Sequence, residues 1–225
     1  MEISGHTRLL CLIGSPVAHS GSPAMYNYSF EKLGLDYRYL AFDIKEEDTK
    51  KAIEALKMMN FRGCNITMPG KTVAASCCDE LSKAAELTGA VNTIVNEDGK
   101  LVGHITDGTG WIRNCLEHGF DIHGKKLVIA GCGGAGTAIQ IAAALGGAKD
   151  VVILARKSSV RYANGEATVQ KIREHVPECR AEIFDLEDVG AVRRALVGAD
   201  LFCNATKIGM KPMDDQSVIP DASML

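Results

Sequence analysis

The sequence has no apolar run approaching the roughly 18 residues that a membrane-crossing helix needs, so a helical span is excluded. It also lacks runs of like charge. The 25 Lys and Arg stand against 28 Asp and Glu, giving a formal charge of -3 with dispersed cations. No basic face is left for a phosphodiester backbone, and nucleic acid is not expected as a partner. The first residues, MEISGHTRLLCLIGSP, have too short an apolar core for a secretory signal and no small-residue cleavage site. A cytoplasmic protein is expected, with neither membrane nor nucleic acid among its partners. No internal repeat, low-complexity tract or Pro/Ser-rich linker interrupts the chain.

Framework and metal spacings are missing too. Cys11, Cys64, Cys77, Cys78, Cys115, Cys132, Cys179 and Cys203 form no C-x-x-C and accompany no paired histidines. In a reducing compartment scattered cysteine behaves as a small apolar residue, so free thiols are expected. The six histidines form no H-x-x-x-H or H-E-x-x-H pattern, and no metal is expected.

What the sequence does have is 46% hydrophobic content in 225 residues, ample for one large or two small domains. Its organising stretch is KLVIAGCGGAGTAIQIAAAL, Lys126 to Leu145. Leu127 to Ala130 read as a buried strand, Gly131, Gly133 and Gly136 have G-x-G-x-x-G spacing, and Thr137 to Leu145 read as a helix. The first glycine allows a tight turn, the second lets a pyrophosphate approach the backbone, and the third lets helix and strand pack closely. N–H groups at the helix start then face the anion. The plain alternative is a tight βα turn without a nucleotide.

Before that stretch, Arg8 to Gly14 and Tyr37 to Asp43 read as strands. A helix is expected from Ser22, with its hydroxyl as N-cap and Pro23 at the first helical position, ending on Gly34. Glu46 to Asn60 carry Ala52, Ile53, Ala55, Leu56 and Met59 on one helical face. A strand over Gly63 to Thr67 precedes two helical pieces, Thr72 to Cys78 and Asp79 to Thr88. Asn92 to Asn96 and Lys100 to Thr106 flank a Glu97-Asp98-Gly99 hairpin signal, and a helix follows Asp107 to about His118.

Later strands are expected at Val151 to Ala155, Ala181 to Phe184 and Leu201 to Asn204, with helices near Ser159 to His175 and Glu187 to Val197. This alternation predicts α/β architecture with largely parallel sheets and helices on both faces. Two units are expected, residues 1–106 and 107–225, with a small-ligand cleft between them.

Four polar clusters fall at strand ends or helix starts: Ser20 with Ser22, Asn65 with Thr67 and Lys71, Asn92 with Thr93, and Thr106 with Asp107. Each alone reads as a cap, a turn or a strand-end hydrogen bonder. Together they collect hydroxyls, amides, an ammonium and a carboxylate around one crevice, which suits a small polyhydroxylated acid.

In that order and at those separations, HSGSPAMYN, GCNITMPGK, GAVNTIVN, GHITDGTG, GCGGAG and NATKIGM resemble the shikimate dehydrogenase family, particularly its quinate/shikimate branch, over essentially the whole chain. The resemblance implies a mostly parallel substrate domain and a Rossmann-like dinucleotide domain. It implies reversible hydride transfer between a nicotinamide cofactor and shikimate or quinate, with the 3-dehydro ketone as the other partner, in aromatic amino-acid biosynthesis. Lys71 would then be the catalytic acid/base with Asp107 its partner. Ser20, Ser22, Thr67, Lys71, Asn92, Thr106 and Asp107 would bind substrate. Gly131, Cys132, Gly133, Gly134 and Ala135 would hold the pyrophosphate, with Asn204, Thr206 and Lys207 also on the cofactor side.

Cofactor choice rests on Ala155, Arg156, Lys157 and Ser158 at the end of the second strand of that unit. Dehydrogenases selective for NAD carry an acid there. Two cations in its place favour NADP, with NAD as the alternative.

Three departures from the family pattern are visible. Ile105 replaces the usual Asn before Thr-Asp, Ala155 replaces the usual Asn before Arg156, and the sequence stops at Leu225, short of the family's last strands and C-terminal helix. The dinucleotide domain is therefore expected to be incomplete, and a ligand-binding remnant without turnover is the first alternative. A two-domain dehydrogenase for folate or amino-acid derivatives is the second, although it has no need of the Ser20 and Ser22 pair. Whether the chain is a monomer or a homodimer stays open at this stage.

Overall fold

The computed structural model describes residues 3–219 and 221–224. The chain divides into two compact units, Met1–Ile105 and Thr106–Leu225.

The first unit runs β1 (Arg8–Gly14), α1 (Ser22–Lys32), β2 (Tyr37–Asp43), a 3-10 turn (Glu46–Asp48), α2 (Thr49–Met58), β3 (Gly63–Ile66), α3 (Lys71–Ala75), β4 (Glu80–Leu81), α4 (Lys83–Thr88), β5 (Thr93–Glu97) and β6 (Lys100–His104). Its sheet has the order β2-β1-β3-β5-β6-β4. Only β5 runs against its neighbours; β1 is parallel to β2 and β3, and β4 is parallel to β6. The reversal comes from the turn at Asp98 and Gly99, whose φ values of 52° and 95° suit the two-residue hairpin that a right-twisted pair of strands favours. Tyr26 and Phe30 of α1 pack with Leu10, Leu12 and Tyr39 on one face of the sheet. Ile53 and Leu56 of α2 lie against Cys64 and Ile94, whose side chains alternate to the opposite face.

Several boundaries differ from the expected ones. Ser22 is not the N-cap of α1: Gly21 occupies that place with helical angles of φ -77° and ψ -7°, and no side chain caps the helix. Turning in one residue early puts the Ser22 hydroxyl in the first helical turn, while its N–H donates to Ser20 Oγ at 3.3 Å. The helix expected from Glu46 begins as the 3-10 turn, and Met59 is exposed because α2 has already ended. Asp79 to Leu81 are drawn out of the expected helix. Asp79 exchanges main-chain and carboxylate hydrogen bonds with Leu101, which places β4 along the edge of β6, and Ser82 then caps a shorter α4.

The second unit runs α5 (Asp107–Glu117), β7 (Lys126–Ala130), α6 (Gly134–Leu145), β8 (Asp150–Ala155), α7 (Tyr162–His175), β9 (Arg180–Asp185), α8 (Val189–Leu196) and β10 (Leu201–Asn204). The four strands are all parallel, in the order β10-β7-β8-β9. Strands buried on both faces read as continuous apolar runs, and β7 shows why. Leu127 and Ile129 enter one core with Ile139, Val169 and Ile172, whereas Val128 and Ala130 enter the other with Val192 and Leu196. Each such fully buried Leu, Ile or Val contributes about 1.5–3 kcal/mol. α6 starts at Gly134, three residues earlier than expected, since Gly134, Ala135 and Gly136 are already helical.

Candidate functional site

In the first unit the sheet topology gathers polar side chains along one edge. Strands β1 and β3 end there, at Gly14 and Ile66. Because β5 is reversed, it begins there, and Asn65 lies opposite Thr93. Ser20 and Ser22 follow β1, Thr67 and Lys71 follow β3, and Asn92 precedes β5; all five are half-buried. Main-chain bonds tie these segments together: Thr67 N–H to Ile13 O at 2.9 Å, Ile66 N–H to Asn92 O at 2.8 Å, Val91 N–H to Lys71 O at 2.9 Å and Asn92 N–H to His104 O at 2.9 Å. Hydroxyls, a carboxamide and a primary amine on one rigid edge can hold a small polyol and can give or take a proton at one of its oxygens.

Thr106 and Asp107 belong to the second unit. Thr106 is the exposed N-cap residue of α5, with no side-chain capping bond, and the half-buried Asp107 stands in its first turn, where a carboxylate complements the helix dipole. Gly108 follows against Ala142, with which α5 packs closely on α6.

The second unit carries a cavity of about 320 Å³. It opens where the strand order turns back at β7, the crevice position of doubly wound sheets. Its walls include Gly131, Cys132 and Gly133 after β7, Arg156 after β8, and Thr206 and Lys207 after β10. The three fingerprint glycines behave differently. Gly131 takes φ +109°, and a Cβ there would stand 2.8 Å from Ala205 O. Gly136 lies against the main chain of Gly131, so a Cβ would come within 2.9 Å of the Gly131 carbonyl carbon. At Gly133 a Cβ would meet only Arg161 Nη1, at 3.7 Å, which leaves the backbone open to a ligand. The N–H groups of Gly134, Ala135 and Gly136 occupy the first turn of α6, where no preceding carbonyl can take them. That arrangement suits a pyrophosphate.

Other expected cofactor residues have different surroundings. Gly134, Ala135, Lys157, Ser158 and Asn204 stand outside the cavity walls. The Lys157 N–H donates to Asp185, and both the N–H and the hydroxyl of Ser158 are held by Glu187. Bonds from the Glu187 and Lys157 N–H groups hold the Asp185 carboxyl below its ordinary range. Asn204 shapes the loop after β10, accepting from Thr206 and donating to Ile208 O at 2.8 Å.

Arg161 and Tyr162, at the start of α7, do line the cavity and were not singled out from the sequence. A third cation, five residues after Arg156, was the available signal. Burial pushes the Cys132 thiol up to about 11, so it is protonated near neutrality and behaves as packing. Among the described residues no group of three or more His, Cys, Asp or Glu could hold a metal ion, and no helix is long and apolar enough to cross a membrane.

A largely parallel α/β unit with a polar edge, followed by a Rossmann-type unit with an open glycine turn, defines the class: a two-unit α/β protein built for a dinucleotide. Comparison with known proteins is more specific. Residues 12–94 match the shikimate dehydrogenase substrate binding domain. A shikimate dehydrogenase (NADP(+)) of Listeria monocytogenes serovar 1/2a is 50% identical over 224 residues, covering 100% of this chain and 76% of the relative. A crystal structure of shikimate 5-dehydrogenase from Listeria monocytogenes, in complex with shikimate and NAD, matches with a TM-score of 0.96 at 50% identity, over 100% of this chain and 77% of that one. A shikimate dehydrogenase solved with NADP+ matches with a TM-score of 0.83 at 36% identity, over 100% and 75%. The chain belongs to the shikimate dehydrogenase family.

Proposed function

We propose that this chain is an NADP-linked oxidoreductase that interconverts shikimate and 3-dehydroshikimate within aromatic amino-acid biosynthesis. The observation that carries the reading is the polar edge of Ser20, Ser22, Thr67, Lys71 and Asn92 in a chain whose full length matches relatives named for that activity. In this reading the first unit holds the substrate and the second the cofactor. Ser20 and Ser22 take the carboxylate, since hydroxyls and N–H groups at a helix start favour an anion. Thr67 and Asn92 bind ring hydroxyls, and Thr106 completes the set.

When bound, the nicotinamide of NADP would supply or accept the hydride. Lys71 gives the proton that the resulting alkoxide needs, and takes it back when the alcohol is oxidised, with Asp107 assigned as its partner. The residues present fit such a cofactor. Gly131 and Gly136 enforce the tight turn, Gly133 leaves room above the backbone, and the first-turn N–H groups of α6 would be the donors to a diphosphate.

Adding NADP and shikimate to this chain should raise absorbance at the reduced-nicotinamide band. A chain that binds shikimate without reducing NADP is the ligand-binding alternative, and one that ignores shikimate defeats the reading. Replacing shikimate by quinate in the same assay tests whether the broader substrate range extends to this chain.

Arg156 carries the cofactor preference in this reading, because its guanidinium can meet a 2′-phosphate through charge-assisted bonds. Arg156→Gln should raise the KM for NADP about 10- to 100-fold, the effect of losing one or two such bonds, and change the KM for NAD little. Equal changes for both cofactors would remove Arg156 from that role.

A further inference from the structure

Tyr39 lies in the middle of β2, only 1% exposed, yet it carries a hydroxyl. Its ring reaches past β1, and the hydroxyl donates to Asn65 Oδ1 of β3 at 2.7 Å. The Asn65 amide, fixed in that sense, donates from Nδ2 to Thr93 Oγ1 at 3.0 Å. The Thr93 hydroxyl then donates to Asn92 Oδ1 at 3.1 Å. Every link runs in one direction, from phenol to carboxamide to hydroxyl to carboxamide, so each bond polarises the next. Burial raises the Tyr39 pKa well beyond its usual value, which keeps the hydroxyl a donor at any ordinary pH.

The other side of Tyr39 is anchored to α1, the helix that begins at Ser22. The Tyr26 ring stacks on the Tyr39 ring with centroids 4.5 Å apart. The Asn27 side chain bonds both the N–H and the C=O of Tyr39, at 3.0 and 2.8 Å, as a neighbouring strand would. One residue thus joins the serine-bearing helix to the strand ends that carry Thr67 and Asn92.

We propose that Tyr39 is a positioning residue for the substrate, orienting the Asn92 carboxamide through Asn65 and Thr93 so that its oxygen faces Thr93 and its nitrogen, rather than its oxygen, is the end that can donate to a ring hydroxyl. The inference rests on the reading of Asn92 as a substrate ligand and deepens it. Without the phenol, Asn65 loses the donor to its oxygen and is held only through Nδ2, which donates to Thr93 Oγ1 and, at 3.4 Å, to the Asn92 main-chain oxygen, so the ordering of Thr93 and Asn92 is weakened. The loss acts on binding, since none of the four residues is assigned to move a proton.

Tyr39→Phe keeps the ring, its stacking and the main-chain clasp of Asn27. It should raise the Kd for shikimate in isothermal titration, and the KM, by about three- to tenfold, the span of one net hydrogen bond. The kcat should stay within about twofold and the KM for NADP should not move. Thr93→Val should give the same loss by cutting the relay in the middle, and Thr93→Ser should restore binding. Because the effect passes through Asn92, adding Tyr39→Phe to Asn92→Ala should weaken shikimate no further, whereas adding it to Ser22→Ala should weaken it by the full factor. A Tyr39→Phe chain that binds shikimate as the unaltered chain does overturns the relay. So does a full additional loss in the Asn92→Ala background. If the unaltered chain fails to bind shikimate in the same titration, the substrate reading falls and the relay with it; failure of the relay alone leaves the unaltered chain binding normally.

Discussion

Lys71→Ala is expected to lower kcat for shikimate oxidation by at least about a thousandfold while the Kd for shikimate changes by less than about tenfold. The size follows from two roles concentrated in one ammonium. Hydride leaving or reaching a carbinol carbon changes the charge on its oxygen, and a positioned proton carrier contributes about 10²- to 10⁴-fold at that step. A donor already aimed at the developing alkoxide contributes a further factor of the order of 10² to 10³, because it needs no reorganisation when charge appears.

The substitution leaves the scaffold in place. Lys71 opens α3 and its carbonyl accepts the Val91 N–H at 2.9 Å, a main-chain bond that alanine retains. Alanine is also the best helix former. Ser20, Ser22, Thr67 and Asn92 stand on segments that do not depend on the Lys71 side chain for their pairing, so binding should survive. Steady-state kinetics beside isothermal titration of shikimate reads both quantities. A kcat within tenfold of the unaltered chain would remove Lys71 from the acid/base role, and a parallel collapse of binding would reassign it to holding substrate.

Much of the scaffold was legible because local signals agreed. The limits of β1, β2 and β10 are the expected ones, as Arg8–Gly14, Tyr37–Asp43 and Leu201–Asn204 are short apolar runs bounded by turn residues. The Asp98-Gly99 signal gave the hairpin, and that hairpin brings Asn92 to the edge where Thr67 lies. What escaped was set by partners far away in sequence. Asp79 reads as a helix start until Leu101 offers it strand pairing. Ser22 reads as a cap until Gly21 is seen to turn first. Arg161 lies near Gly133 only because α7 begins above the glycine turn. Tyr39 reads as strand filler, and its hydroxyl acquires meaning only when β3 and β5 supply Asn65 and Thr93.

The cofactor turn leads to the other large effect. Gly136→Ala should raise the KM for NADP by at least about a hundredfold, with the Kd for shikimate unchanged. The added methyl would be driven against the Gly131 carbonyl, 2.9 Å from its carbon and closer still to its oxygen. Neither side can yield cheaply. Gly131 O is held at 2.8 Å by the Nε2 of the fully buried Gln140, and Gly131 itself, at φ +109°, is backed by Ala205 O. Relief must come by lifting the first turn of α6 from the end of β7, which carries the Gly134 and Ala135 N–H groups away from where a diphosphate would sit. A displacement of about 1 Å in a positioning group costs about a hundredfold in comparable cases.

Gly110→Ala, inside α5, is the matched control. A Cβ there meets nothing within 4 Å, and replacing a helical glycine should stabilise by about 0.5–1 kcal/mol with no change in NADP kinetics. Thermal melting of both variants, read beside shikimate titration, separates a lost turn from a lost fold. If Gly136→Ala bound NADP within threefold of the unaltered chain while melting normally, the close contact between α6 and the Gly131 turn would not be what shapes the phosphate site.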